Sequence, residues 1–165
     1  MLDSKILAYA LIIAFSTLGG WVLSDGLKER RDTLRELIVA LSELKNYISG
    51  ARMPLPEIYV KLSGKTSVGK MFDKMSRENT SDTYKLWEKH LSALKLKKED
   101  IVPLKDLAKT LGYGNVTHQK TCIDICITGL EKQLKEADAS YEKEGKLYKK
   151  LGIYAGILLV IFKAG

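Results

Sequence analysis

The strongest constraint on this chain is an uncharged apolar run close to its beginning. The run extends from Ile6 to Leu23, 18 residues without a charged side chain, and a helix needs roughly 20 such residues to cross a hydrocarbon core. Trp21 lies near its end, where aromatic rings favour the boundary between membrane and water. A cleaved signal peptide, with Lys5 and a small-residue site at 14–16, is the alternative, but apolar sequence continues beyond that site. We therefore predict a retained transmembrane helix over residues 1–23.

A second apolar run lies at the other end, between Leu151 and Phe162. As a helix it rises only about 18 Å, against roughly 30 Å for the hydrocarbon core. A start at Leu147 lengthens it to about 24 Å, provided that Lys149 and Lys150 direct their ammonium groups toward the lipid headgroups. We predict a short transmembrane segment over residues 151–165. A buried core helix or an interfacial helix remains the alternative.

The charges beside the two apolar runs predict their orientation. Lys5 is the only basic residue before the first run, whereas Lys28, Arg30, Arg31 and Arg35 follow it. Basic residues favour the cytoplasmic side of a membrane. The lysines before the second run also outnumber the single lysine after it. We therefore predict a protein of the cell membrane with both termini outside and a cytoplasmic domain over residues 24–150.

The predicted cytoplasmic domain has the apolar spacing of helices and no strand-like alternation. Two long seams step by three and four residues, as in helices that pack at shallow angles. The seams are Leu34, Leu37, Leu41, Leu44 and Ile48 in the first helix, and Ile123, Ile127, Leu130, Leu134, Ala137 and Tyr141 in the last. Four shorter helices are predicted between them. The predicted fold is all-α, an antiparallel bundle of about six helices between the two transmembrane segments.

Two short motifs look like phosphate-binding loops and do not complete the pattern. The stretch SGKTS, residues 63–67, would need a leading glycine where the chain has Tyr59. The stretch GYG, residues 112–114, lacks the third glycine of a dinucleotide fingerprint, because Thr117 occupies that place. We predict no nucleotide site.

No catalytic residue, metal or cofactor is predicted. His90 and His118 have no partners at metal-ligand spacing and are interpreted as surface or helix-end residues. Cys122 and Cys126 lie in apolar sequence and are interpreted as small core residues. Asp124 is the one acid in an apolar neighbourhood. The net charge is +7, but lysines alternate with acids, so we expect no nucleic-acid binding.

Two surfaces are candidates for binding a partner. One is the basic segment LKERRDTLRE, for which contact with lipid headgroups alone is the alternative. The other is the rigid turn MPLPE, for which internal packing is the alternative. The candidate residues are Lys28, Arg30, Arg31, Arg35, Pro54, Pro56 and Glu57.

The first and last thirds of the chain resemble the stage III sporulation protein AB family of endospore-forming bacteria. The similarity lies in the basic helix start, the turn P-L-P-E, the pair L-G before the last long helix, and Gln119 seven residues after that glycine. The ending K-L-Y-x-x-L-G-x-x-x-G is also similar. Asn115 departs from the acid expected there, although asparagine can also cap a helix.

The resemblance implies a role that the residues alone do not give. Members of that family belong to a membrane complex between mother cell and forespore, and their cytoplasmic domain is similar to that of the type II secretion platform protein. The resemblance therefore implies a membrane platform protein that docks a cytoplasmic ATPase. It also implies contacts with lipids and with the other membrane components of the same channel complex. The alternative is a lipid- or anion-binding regulatory domain held at the membrane.

Overall fold

The computed structural model describes residues 2–78, 80 and 82–164, and every regular element in those ranges is helical. The predicted all-α class is therefore confirmed for the described residues. The elements are α1 (Leu2–Asn46), a π-helical turn (Tyr47–Ala51), α2 (Leu55–Leu62), α3 (Ser67–Arg77), α4 (Thr83–Leu91), α5 (Lys98–Thr110), α6 (Val116–Ser140), a second π-helical turn (Tyr141–Gly145) and α7 (Lys146–Ala164).

The chain divides into two compact units. The central unit comprises residues 32–136, and the terminal unit comprises residues 1–31 together with 137–165. The predicted boundaries after residues 23 and 150 concern the membrane, and they remain predictions.

The core of the central unit is built on the two predicted seams. All five residues of the first seam are buried, four of them completely. In the second seam, Ile123 and Leu130 are fully buried, whereas Ile127 and Leu134 are half-buried. The short helices bury their own apolar faces in the same core, through Ile58, Leu62, Val68, Met71, Leu86, Leu91, Leu104 and Leu107. Helical periodicity therefore predicted correctly which face of each long helix is buried.

An aromatic cluster joins α2, α3 and α4 within the central unit. The rings of Tyr59 and Phe72 stack with centroids 5.8 Å apart, and Phe72 meets the edge of Trp87 at 6.0 Å. The indole Nε1–H of Trp87 donates to the hydroxyl oxygen of Tyr59 over 2.9 Å. Because all three residues are buried, this cluster fixes three helices against one another.

In the terminal unit the two ends of the chain pair antiparallel. A Cβ placed on Gly145 would lie 3.4 Å from the Ser24 hydroxyl oxygen. Arg31 forms an ion pair of 3.9 Å with Asp138. The second contact is therefore seven residues later in α1 and seven residues earlier in the partner helix, as an antiparallel pair requires. Within this unit the two long helices therefore pair antiparallel.

The terminal unit exposes large apolar side chains. They include Leu18, Trp21, Val22 and Leu23 in α1 and Leu151, Ile153, Tyr154, Leu158 and Ile161 in α7. Over the described residues, nonetheless, no helix combines the length and the apolar character needed to cross a membrane. The two predicted transmembrane helices are therefore not supported by the structure.

Candidate functional site

The structure separates the four basic residues that the sequence places together. Lys28 and Arg35 are exposed, and Arg35 belongs to the central unit whereas the other three belong to the terminal unit. Arg30 is only 5% exposed. The guanidinium carbon of Arg31 lies 4.4 Å from the centre of the Tyr141 ring, in addition to the ion pair with Asp138. The basic segment therefore offers two accessible cations rather than four, and its role in binding stays a prediction.

The MPLPE segment forms a sharp corner between the first π-helical turn and α2. Arg52 has a left-handed backbone with φ of 49°, a conformation that is uncommon outside glycine. Pro54 then takes an extended conformation, with φ of −67° and ψ of 146°, and its carbonyl oxygen accepts from the backbone N–H groups of Glu57 and Ile58. Pro56 sits in the first turn of α2, where its missing N–H removes no helical hydrogen bond. The sequence prediction of a turn at this place is confirmed.

The candidate site is the groove that this corner forms with the loop before α6. We call it the corner groove, a surface cavity of about 310 Å³ lined in part by Arg52, Pro54, Leu55, Gly112, Val116 and Gln119. Gly112 has φ of 85°, and a Cβ there would lie 3.4 Å from the Leu55 side chain. The backbone N–H of Gly112 donates to the Gln119 amide oxygen over 3.3 Å. A larger residue at position 112 would thus be strained and would narrow the groove.

The start of α6 is fixed beside the groove by a cap. The backbone N–H of His118 donates to the Asn115 side-chain oxygen over 2.8 Å, so asparagine caps this helix as expected. Gly114 has φ of 78°, which lets the loop reverse direction immediately before the cap. The residues that carry the family resemblance, P-L-P-E, Leu111–Gly112 and Gln119, are thereby brought to one place in the central unit.

The corner groove contains groups that can form ion pairs and hydrogen bonds. Its charged group is the Arg52 guanidinium, the exposed Glu57 carboxylate lies two residues beyond the wall residue Leu55, and the Gln119 amide supplies a further polar group. Within the described parts of the chain, no cluster of three or more histidine, cysteine, aspartate and glutamate residues is placed to hold a metal ion. Apolar walls with a few directional polar groups suit a peptide segment of a partner protein.

One histidine interpretation is corrected by the structure. His90 lies in the last turn of α4 as expected, but it is only 7% exposed rather than at the surface. Its Nε2 lies 2.8 Å from the Glu78 carboxylate, which also accepts from Lys89 over 2.8 Å. These hydrogen bonds, Lys89 first, lower the pKa of Glu78. Glu78, at the end of α3, therefore fixes the buried His90 by a hydrogen bond. The other histidine, His118, is exposed, as expected.

The other residues considered in the sequence lie where packing, ion pairing or helix capping accounts for them. Cys126 is buried, which raises the pKa of its thiol to about 12, and Cys122 is half-exposed. Asp124 is exposed and forms a 2.7 Å ion pair with Lys45, which joins α1 to α6 within the central unit. Thr66, in the stretch that resembles a phosphate loop, caps α3 by accepting from the backbone N–H of Gly69 over 3.0 Å.

Sequence reasoning missed the part of the corner groove that comes from Arg52, Gly112 and Val116. The prolines gave a signal for the corner, and glycine in the pair L-G gave one for the loop. Nothing in the local sequence indicates that the two segments meet, because their separation along the chain is about 60 residues. Only the packing of α2 near the start of α6 reveals the groove.

The fold and the groove define an all-helical protein with a compact central unit that carries a peptide-sized surface cavity, and a terminal unit with exposed apolar side chains. The sequence profile of the stage III sporulation protein AB family matches residues 5–162. The chain therefore belongs to the stage III sporulation protein AB family, as its residues predicted.

Two known proteins show how far this similarity extends. The chain is 29% identical over 166 aligned positions to stage III sporulation protein AB of Bacillus subtilis strain 168, with 95% of this chain and 97% of that protein covered. A solved structure titled stage III sporulation protein AB is similar with a TM-score of 0.58 and 26% sequence identity. That likeness covers 69% of this chain and 97% of the solved one. Family membership implies a role in sporulation.

Proposed function

We propose that this protein is a platform component of the channel complex between mother cell and forespore, and that its corner groove docks the cytoplasmic ATPase of the same complex. The observation that carries the proposal is the convergence of two segments, about 60 residues apart in the sequence, on one groove in the central unit. Pro54 lines the groove, and Pro54, Pro56 and Glu57 are all exposed. An exposed rigid corner changes little on binding, which lowers the entropy cost of association.

Glu57 is the residue to change first. It is exposed in the first turn of α2, and no ion pair engages it in the described part of the chain. Glu57→Lys reverses the charge in the first turn of α2, two residues after the lining residue Leu55. Glu99→Lys is the matched control, because Glu99 is an exposed acid in the first turn of α5. Both changes lose the same favourable interaction with a helix N-terminus, worth about 0.3–1 kcal/mol, so they should cost similar stability.

The measurement is co-purification of the ATPase with the full-length chain from sporulating cells, together with the yield of heat-resistant spores. Glu57→Lys is expected to reduce both, and Glu99→Lys to leave both near the wild-type level. Equal effects of the two variants would mean that the corner groove does not dock the ATPase.

Membrane attachment through the terminal unit is the second part of the proposal, with both termini outside and the central unit in the cytoplasm. It is supported by the exposed apolar side chains of α1 and α7, among them Val22 at 71% and Leu158 at 66% exposure. Exposed apolar groups in such number favour transfer out of water, at about 25 cal/mol per Å².

Topology reporters fused at each terminus and between α4 and α5 test this arrangement. We expect external activity for both terminal fusions and internal activity for the central one. A chain recovered entirely in the supernatant after cell breakage, with all three reporters internal, would contradict membrane attachment.

Anionic-lipid binding is a second candidate function, favoured by exposed lysines in the central unit. Lys61, Lys65, Lys70 and Lys74 are exposed, and within the described residues none of them forms an ion pair. Sedimentation of the full-length chain with liposomes of matched curvature, with and without anionic lipid, discriminates the two functions. Strict dependence on anionic lipid, with no loss of sporulation in Glu57→Lys, would favour lipid binding.

A further inference from the structure

A small pocket of the central unit, between α3 and the end of α4, is lined by basic side chains. We call it the basic pocket, a surface cavity of about 170 Å³. Its lining residues are Ser67, Lys70, Met71 and Lys74 of α3, His90 of α4, and Ala93 and Leu94 in the turn that follows. The cavity is smaller than sites for drug-sized ligands, about 300–1,000 Å³, so it suits one small chemical group.

Two lysines of the basic pocket carry charges that no acid of the described chain compensates. Ser67, Lys70 and Lys74 follow one another at spacings of three and four, so they share one face of α3. Both lysines are exposed, and neither ammonium group forms an ion pair or a hydrogen bond with any described residue. Like charges four residues apart on a helix repel each other. An anion bound beside both would remove that repulsion.

The acids near the basic pocket are already engaged by other cations. Asp73, next to Lys74 in α3, forms an ion pair of 2.9 Å with Arg77. The Glu78 carboxylate lies 2.8 Å from the ammonium group of Lys89. The positive charge of the pocket is therefore not cancelled by these two carboxylates.

The ring of His90 supplies a directional group to the same pocket. Its side chain is only 9% exposed, and its Nε2 atom lies 2.8 Å from the Glu78 carboxylate. Because the lowered pKa of Glu78 keeps that carboxylate ionised near neutral pH, it can only accept, so Nε2 carries a proton. The other ring nitrogen, Nδ1, forms no hydrogen bond within the described residues and keeps access to solvent. Nδ1 becomes a donor when the ring is protonated, and a neighbouring anion favours that form.

We propose that the basic pocket binds one phosphate group, either inorganic phosphate or the headgroup of an anionic lipid. Lysine is a common ligand of phosphate, and hydrogen bonds between charged groups are roughly twice as strong as neutral ones. Lys70 and Lys74 supply the charge, the Ser67 hydroxyl and His90 supply further donors, and the positive end of the α3 dipole adds to them.

This inference does not depend on ATPase docking at the corner groove, because the two sites share no lining residue. Its lipid form deepens anionic-lipid binding, the second candidate function, and rests on it. Its free-phosphate form stands without any lipid contact.

The test is a titration of the full-length chain, labelled with ¹⁵N and held in an uncharged detergent, with inorganic phosphate at constant ionic strength. The backbone amides of Ser67 and Lys70 and the ring nitrogens of His90 report binding, and we expect all of them to shift and to saturate. Lys70→Gln and Lys74→Gln should each weaken binding at least about tenfold, a difference of about 1.4 kcal/mol. Lys61→Gln is the matched control, because Lys61 is an exposed lysine of α2 without an ion pair in the described residues. It removes the same charge and should keep the wild-type affinity.

A second arm identifies the source of the phosphate group. The full-length chain is placed in nanodiscs of phosphatidylcholine, with and without phosphatidic acid. If a lipid headgroup fills the pocket, phosphatidic acid will shift the same resonances and weaken the binding of added phosphate. If the ligand is free phosphate, phosphatidic acid will leave both unchanged.

Three results would overturn the proposal. One is the absence of a saturable shift at Ser67, Lys70 and His90 with both inorganic phosphate and phosphatidic acid. Another is an equal response to sodium chloride at the same ionic strength, which would mean screening rather than binding. The third is equal weakening in Lys61→Gln and Lys70→Gln, which would assign the effect to the net charge of the chain rather than to the pocket.

Discussion

The hydrogen bond between Trp87 and Tyr59 gives a sharp test of how the central unit is held together. Trp87 is fully buried, and Tyr59 is 2% exposed. The indole N–H of Trp87 donates to the Tyr59 hydroxyl oxygen over 2.9 Å. Tyr59→Phe removes the acceptor and leaves the two rings in place, so the indole N–H becomes a buried donor without a partner.

The expected loss follows from that buried donor. An unsatisfied buried group costs about 1–3 kcal/mol, because it gives up its hydrogen bond to water and receives nothing in return. Charge does not contribute, because burial raises the pKa of Tyr59 to about 12 and the hydroxyl is neutral near pH 7. In a chain of this size, 1 kcal/mol corresponds to about 2–4 °C in the thermal midpoint.

Urea unfolding followed by circular dichroism measures the change in the free energy of unfolding. Tyr84→Phe is the matched control, because the Tyr84 hydroxyl is part-buried and donates over a longer distance, 3.4 Å, to Glu88. It should cost less than about 0.5 kcal/mol. The double mutant Tyr59→Phe with Trp87→Phe should lose less than the sum of its single changes, because the orphaned donor is gone.

A Tyr59→Phe variant within about 0.5 kcal/mol of the wild type would refute this reasoning, because it would mean that the indole N–H gains another partner. Fully additive single and double changes would also refute it, since additivity is the sign of two sites that do not interact.

Three further changes test other parts of the structure. Gly69→Ala should destabilise the protein by about 1–3 kcal/mol, because the new Cβ would lie 2.7 Å from backbone atoms of Gly64, and thermal unfolding would show it. Asn115→Ala removes the cap of α6 and should cost about 1 kcal/mol in urea unfolding. The pKa of Glu78 is lowered, first by its hydrogen bond from Lys89. The ionised Glu78 therefore stabilises the fold above the usual pKa range of glutamate, and this stabilisation is lost as pH falls below that range. Glu78→Gln should flatten the decline of the thermal midpoint at acid pH.

The all-α fold could be predicted from the sequence because its apolar residues recur with the period of a helix. Leu34, Leu37, Leu41 and Leu44 lie on one face of any helix that contains them, whatever packs against it, and all four are fully buried. The last seam also ends visibly at Tyr141, because Glu144 occupies the place of the next apolar residue. This end corresponds to the π-helical turn at Tyr141–Gly145, whose wider turns shift the face that follows.

The basic segment shows where this reasoning fails. Arginines near an apolar run were interpreted as an exposed patch, yet Arg30 is buried and Arg31 packs on Tyr141 and pairs with Asp138. Consecutive residues of a helix point about 100° apart, so Arg30 and Arg31 cannot both share the face of Lys28. Which face meets a neighbouring helix depends on distant sequence, and the local charge pattern does not contain it.

The corner groove also depends on contacts between segments that are distant in the sequence. Its proline corner was predicted as a rigid turn, because proline restricts the backbone angles. The glycine loop was noted only as an incomplete dinucleotide motif and as part of the family resemblance. Their meeting depends on Leu55 reaching Gly112 and on Gln119 accepting from the same glycine. A substitution at position 112 would therefore change the groove without changing any charge. Gly112→Ala places a side chain at a positive φ and should lower the free energy of unfolding. We expect its effect on the free energy of partner binding to be larger. If binding were unchanged while the loop remained folded, the groove would be a by-product of packing rather than a docking site.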